Sequence, residues 1–178
     1  MRRLHSRNSD NRLQRLAQRI RALSEKDERR LRRVHEVEAV RRAAALELHS
    51  VCADFVAEVN AMLDDHDVLL DPPDYSAASY SGDSVNLLQI NVHGRILQVS
   101  FTATPELVST EDFRIPYVLE GSVRAFNQEL LDKDLIEEQP LFYTMERHRN
   151  MWRYFETRTY HSGPFDRAYL ISVMERIL

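Results

Sequence analysis

Residues 9–62 read SDNRLQRLAQRIRALSEKDERRLRRVHEVEAVRRAAALELHSVCADFVAEVNAM. The stretch has no Gly and no Pro, is dense in Arg, Glu, Ala and Leu, and keeps one seven-residue spacing throughout. With Leu13 at position a, the a and d positions are Leu13, Leu16, Ile20, Leu23, Asp27, Arg30, Val34, Val37, Arg41, Ala44, Leu48, Val51, Phe55, Glu58 and Met62. Eleven of these fifteen are apolar, which predicts a helix with a supercoiling seam rather than a lone surface helix. A continuous helix over this stretch would span roughly 75 Å at 1.5 Å per residue. The N-terminal part is therefore expected to project and to pair with a neighbour, most simply a second copy. Ser24 followed by Asp27 and Glu28 also resembles a helix start, so a break there, giving two helices, is the alternative.

The seam residues expected to carry oligomerisation are Leu13, Leu16, Ile20, Leu23, Val34 and Val37. Every g position of the first four heptads is basic: Arg12, Arg19, Lys26 and Arg33. In a parallel pair they would face Ala17, Ser24, Leu31 and Glu38 at e, so only Arg33 would meet an opposite charge. Charged edges of this kind are mostly solvated. The sharper reading makes Arg12, Arg15, Arg19, Arg29 and Arg33 contacts for nucleic acid or another polyanion. After Arg42 the helix loses its polar face, from Ala43 through Ala44, Leu48, Cys52 and Phe55 to Met62. A helix apolar on several sides is a buried one, so docking onto a body is expected here.

Charge divides the same way. Residues 1–42 hold fourteen Lys and Arg against six Asp and Glu, out of 24 and 28 in the 178-residue chain. The remainder is strongly acidic, which disfavours nucleic acid binding there. The expected organisation is a basic disordered tail over 1–8, a helical arm over 9–42 and an α+β body over 43–178. The lone Cys52 excludes an intrachain disulfide and a Cys-based zinc site. No apolar run approaches a membrane span, and the Arg-rich start lacks the apolar core of a secretory signal. A cytoplasmic protein is expected.

In the body, His66–Ser84 reads as a linker broken at Pro72-Pro73, with Tyr75–Tyr80 as a short edge strand. His93-Gly94 reads as a two-residue hairpin turn that sets Val92 opposite Arg95, Ile90 opposite Leu97 and Leu88 opposite Val99. This places Leu88, Ile90, Leu97 and Val99 on one face and Gln89, Asn91 and Gln98 on the other. A second hairpin is expected to turn at Glu120-Gly121, a short helix or crossover to cover 128–138, and a third hairpin to turn at His148-Arg149-Asn150. Ser162-Gly163-Pro164 reads as the start of a C-terminal helix. The sheet then has about six antiparallel strands in successive hairpins, with the end of the long helix and the C-terminal helix on it.

No catalytic motif is present: no Gly-rich phosphate loop, HExxH or GxSxG. No catalytic residue, metal ligand or cofactor is expected. His49, three residues before Cys52, has metal-like spacing but no further ligands nearby. His161-Ser162-Gly163 is the best candidate anion site, with Ser162 and Gly163 supplying outward N–H groups. The bland reading is that Ser162 merely caps a helix. The last hairpin interleaves arginines and aromatics, and Tyr143, Trp152, Tyr154, Arg158 and Tyr160 form a candidate binding face for a protein or ligand. The preferred function is a non-enzymatic, homodimeric interaction module with an unidentified protein partner. Polyanion binding through the arm is the alternative, and an enzyme with a site assembled from distant residues is the third.

Overall fold

The computed structural model describes residues 2–64 and 67–178, with side chains from Arg12 onward. Met1 of the expected tail, and Asp65 and His66 at the head of the expected linker, lie outside the described residues, as do the side chains of residues 2–11. The elements are α1 (Arg2–Asn60), β1 (Val68–Asp71), β2 (Asn86–Val92), β3 (Arg95–Val108), β4 (Tyr117–Phe126), α2 (Gln128–Asp132), β5 (Glu138–Thr144), β6 (Met151–Glu156), β7 (His161–Pro164) and α3 (Arg167–Glu175). The chain divides into two units, Met1–Ala39 and Val40–Leu178.

The first unit is helix. Helix formers without Gly or Pro favour it, and exposed i,i+4 pairs add a little: Glu25 with Arg29 at 3.5 Å and Glu28 with Arg32 at 3.8 Å. Such pairs contribute about 0.3–0.5 kcal/mol each. The helix runs through Ser24 without interruption, so the start signal there is overridden by its helical surroundings.

The second unit is built on a seven-stranded antiparallel sheet whose strands lie in chain order, β1 to β7. The β2–β3 hairpin has the expected register, with Val92 opposite Arg95, Ile90 opposite Leu97 and Leu88 opposite Val99. His93 and Gly94 both have positive φ, 50° and 83°, the geometry of a twist-matched two-residue turn. One face buries Leu88, Ile90, Leu97, Val99, Phe101, Leu119, Val123, Leu141 and Trp152. Within this unit the end of α1 buries Ala44, Ala45, Leu48, Cys52, Phe55 and Val56, and α3 buries Leu170, Val173 and Met174. On the other face Phe113, Tyr117 and Phe155 form a smaller core with Val108, Ile115 and Phe142. The irregular end of β3, after a register shift between Ala103 and Val108, leads into this cover.

Three expectations are corrected. Glu120-Gly121 is no turn: β4 is one strand through both residues, with Gly121 opposite Phe101. A Cβ at Gly121 would stand 2.0 Å from the Ser100 carbonyl oxygen and 2.8 Å from Phe101 Cα. The glycine marks a close approach of two backbones rather than a reversal. The edge strand is β1 rather than Tyr75–Tyr80, which forms a turn with Ser79 N–H bonded to the Ser76 carbonyl. β1 is sealed at Val68, whose N–H and C=O both bond to the side-chain amide of Asn60, at 3.1 and 2.8 Å. Lastly, Ser162-Gly163-Pro164 belongs to β7, paired with β6. α3 starts later, capped by Asp166, whose side chain accepts from Tyr169 N–H. Proline tolerates an edge strand as well as a first helical turn.

Candidate functional site

Along the described part of the first unit, Leu13, Leu16, Ile20, Leu23 and Val34 are each more than half exposed. Val37 is half-buried. Their spacing of three and four residues sets them on one stripe, and Leu31 lies exposed beside it. Asp27 and Arg30 occupy the same stripe and are exposed. An apolar stripe of this length facing water is the clearest unsatisfied feature of the molecule. Arg12, Arg15, Arg19 and Arg33 are exposed around it, while Arg29 pairs with Glu25.

The last hairpin does not present the expected aromatic face. Trp152 and Tyr143 are buried, and the Trp152 indole N–H donates to the Ala44 carbonyl at 2.7 Å. The Tyr143 hydroxyl donates to Glu47 at 3.3 Å. Burial first, and the Glu47 carboxylate second, push this phenol up to about 12. Tyr154 stacks on Tyr169 at 4.4 Å. Arg158 and Tyr160 lie beyond β6 in an exposed turn, so alternation along the strand no longer links them to Trp152. The face is interior because α1 and α3 occupy it; strand alternation alone shows that residues share a side, not which side is covered.

Ser162 and Gly163 make strand pairs with Phe155 and Tyr154, and the Gly163 position is closed by the Tyr154 ring, 2.7–2.8 Å from where a Cβ would sit. Neither residue lies at a helix start, so the expected anion site is not formed. His49 bonds through Nε2 to the Pro72 carbonyl at 2.9 Å and stacks on Tyr75. It ties the Pro72 segment to the end of α1. Cys52 is wholly buried, and burial pushes its thiol up to about 12, far from a reactive thiolate. Among the described residues no group of three or more His, Cys, Asp or Glu is placed to hold a metal ion.

Sequence reasoning missed one concavity, a cleft of about 400 Å³ between the sheet, α3 and the segment before β5. Val123, Val173 and Ile177 are among its apolar lining residues. Its polar rim is a chain of internal bonds: Tyr169 hydroxyl to Gln139, Gln139 to Glu156 at 3.5 Å, and Arg158 to Glu156 and Glu137 at 3.5 and 3.6 Å. Burial raises the Tyr169 phenol further above its ordinary value, so it stays protonated and a donor. These five polar groups thus bond to one another along the rim. No local sequence signal announces the cleft, because its walls come from five separate elements, β4, α2, β5, β6 and α3. Comparison of the chain with protein-family models, with curated proteins and with solved structures finds no match.

Proposed function

We propose that this chain is a non-enzymatic interaction module that dimerises through residues 13–37 of α1 and so joins two sheet-bearing units. The observation that carries the reading is the exposed stripe Leu13, Leu16, Ile20, Leu23 and Val34. Full burial of such a side chain stabilises by about 1.5–3 kcal/mol. A handful of them per copy therefore supports a self-association that a solvated helix would forgo. The module works in the cytoplasm, a setting compatible with a single buried thiol. The test is mass in solution, by light scattering across a dilution series, of the full chain and of a Leu23→Lys, Val34→Lys variant. A dimer converted to monomer supports the reading, and a monomer for the unaltered chain at all concentrations rejects it.

A second reading, polyanion binding, is favoured by the exposed Arg12, Arg15, Arg19 and Arg33. Its signature is binding to a short duplex that weakens steeply with salt and disappears when these arginines and Arg29 are changed to Gln.

A further inference from the structure

We infer that the two copies pair antiparallel, in the register that sets Asp27 of each against Arg30 of the other. The inference rests on the dimer proposed above and adds its geometry.

The argument starts from the two charged residues inside the exposed stripe. Asp27 holds an a position and Arg30 the next d position, both on the helical stripe that also carries Leu23 and Val34. In a parallel pair each a residue meets its own counterpart, so Asp27 would face Asp27 and Arg30 would face Arg30. Two like-charged layers would sit at the middle of the seam. In an antiparallel pair a positions meet d positions, and the order of charges along the stripe becomes self-complementary. Centred between Glu28 and Arg29, the layers are Ile20 with Val37, Leu23 with Val34, and Asp27 with Arg30, each occurring twice by symmetry. Within these layers every apolar residue meets an apolar one, and both charges meet their opposite.

Neighbouring registers fail. Sliding by one heptad sets Asp27 and Arg30 against Leu23 and Ile20 in one direction, and against Val37 and Val34 in the other. Either slip leaves both charges without partners in the seam. In the centred register Leu13 and Leu16 fall opposite Ala44 and Arg41. Both of these are already engaged within the second unit, Ala44 fully buried and Arg41 bonded to the carbonyls of Thr104 and Val118. The seam proposed above therefore narrows to the layers from Ile20 to Val37, with Leu13 and Leu16 beyond them.

The flanks act in opposite senses. An antiparallel pair brings g positions together, so Arg19, Lys26 and Arg33 of both copies gather on one edge. On the other edge Leu31, exposed in the single chain, meets Ser24 and Leu31 of the partner. A parallel pair would set Leu31 against Lys26 instead. The basic edge is repulsive, but it is solvated and screened within about 8–10 Å at ordinary salt. Unpaired charges in a buried layer cost several times more than like charges on an exposed edge. The buried layers decide the orientation.

The test uses the full chain with Cys52→Ser, so that only introduced thiols react. Leu23→Cys and Val34→Cys are prepared separately and oxidised mildly, alone and mixed. The expected result is a covalent dimer in the mixture and none from either variant alone. A covalent dimer from Leu23→Cys alone overturns the inference in favour of a parallel pair. A dimer by mass that cross-links in no combination overturns the register. A monomer by mass rejects the dimer itself and the inference with it. Because a core cysteine can itself weaken packing, a charge series gives a second measure. Asp27→Arg and Arg30→Asp are each expected to weaken dimerisation about tenfold or more, and the double variant to restore it. Equal affinity across all four chains overturns the inference.

Discussion

The Trp152 indole N–H donates to the Ala44 carbonyl at 2.7 Å across 108 residues of sequence. The ring also meets Phe101 and Tyr143 edge-on at 5.3 and 5.4 Å. One side chain thereby joins the end of α1 to three strands. Trp152→Phe keeps most of the apolar volume and loses the bond, so a loss of about 1–3 kcal/mol is expected. Trp152→Ala adds a cavity, for about 3–5 kcal/mol in all. Urea unfolding followed by circular dichroism measures both. Equal losses for the two variants would show that the bond and the ring volume are not separable here.

Gly121 and Gly94 separate two uses of glycine. At Gly94 a Cβ has open space but φ is 83°, so Gly94→Ala is expected to cost about 1 kcal/mol through backbone strain. At Gly121 the added atom would collide with the backbone of β3, which has no rotamer to relieve it. Gly121→Ala is expected to cost more than about 3 kcal/mol. Thermal unfolding of the two variants should rank them in that order, and the reverse ranking would refute the close approach.

Glu146 and Arg153 pair at 2.7 Å, and Thr144 donates a further bond to the same carboxylate at 2.9 Å. The Arg153 hydrogen bond, opposed next by burial and then reinforced by the Thr144 bond and the Arg153 charge, holds Glu146 below its ordinary 4.5. A depressed folded value means that the stabilisation is complete above the ordinary value and is lost as pH falls through the lower one. The stability gap between the native chain and Glu146→Gln should therefore be widest near neutrality. It should shrink as pH is lowered from the ordinary carboxylate value through the depressed one. A gap that stays constant over that range would mean the pair does not couple to folding.

Asn60 imitates a missing strand by bonding both backbone groups of Val68. Asn60→Ala is expected to destabilise by about 1–3 kcal/mol, since it strands two polar groups beside a buried valine. It also opens the edge of β1 to pairing with another chain. Light scattering during prolonged incubation should show association through the sheet. Adding Leu23→Lys and Val34→Lys should leave that growth intact, which would distinguish it from pairing along α1.

What was legible in the sequence was what repeats locally. The β2–β3 register follows from alternation around His93-Gly94, and the α1 stripe from spacing alone. Gly121 was misread because composition marks a glycine as permissive without saying whether a turn or a neighbouring backbone needs it. Ser162-Gly163-Pro164 was misread as a helix start for a related reason. Asp166, with its backbone N–H bond from Tyr169, was the real cap a few residues on. Trp152 and Tyr143, grouped on one candidate face, do pair across β6 and β5, but their cover comes from Ala44 and Glu47, about a hundred residues earlier. The short β1 was hidden because four residues beside a Pro-Pro pair carry too little alternation to register.

The sheet is laid down in the order of the chain, and this bears on how it assembles. Each strand finds its neighbour across a local connection, from two residues between β2 and β3 to fourteen between β1 and β2, so the closure entropy of successive pairings stays modest and the sheet grows as a zipper. The end of α1 is synthesised first but meets Trp152 only after six strands have formed. Until that late contact the Ala44 carbonyl lacks its indole donor and the end of α1 is held only in part, so a chain stalled before β6 would be the species most dependent on chaperones.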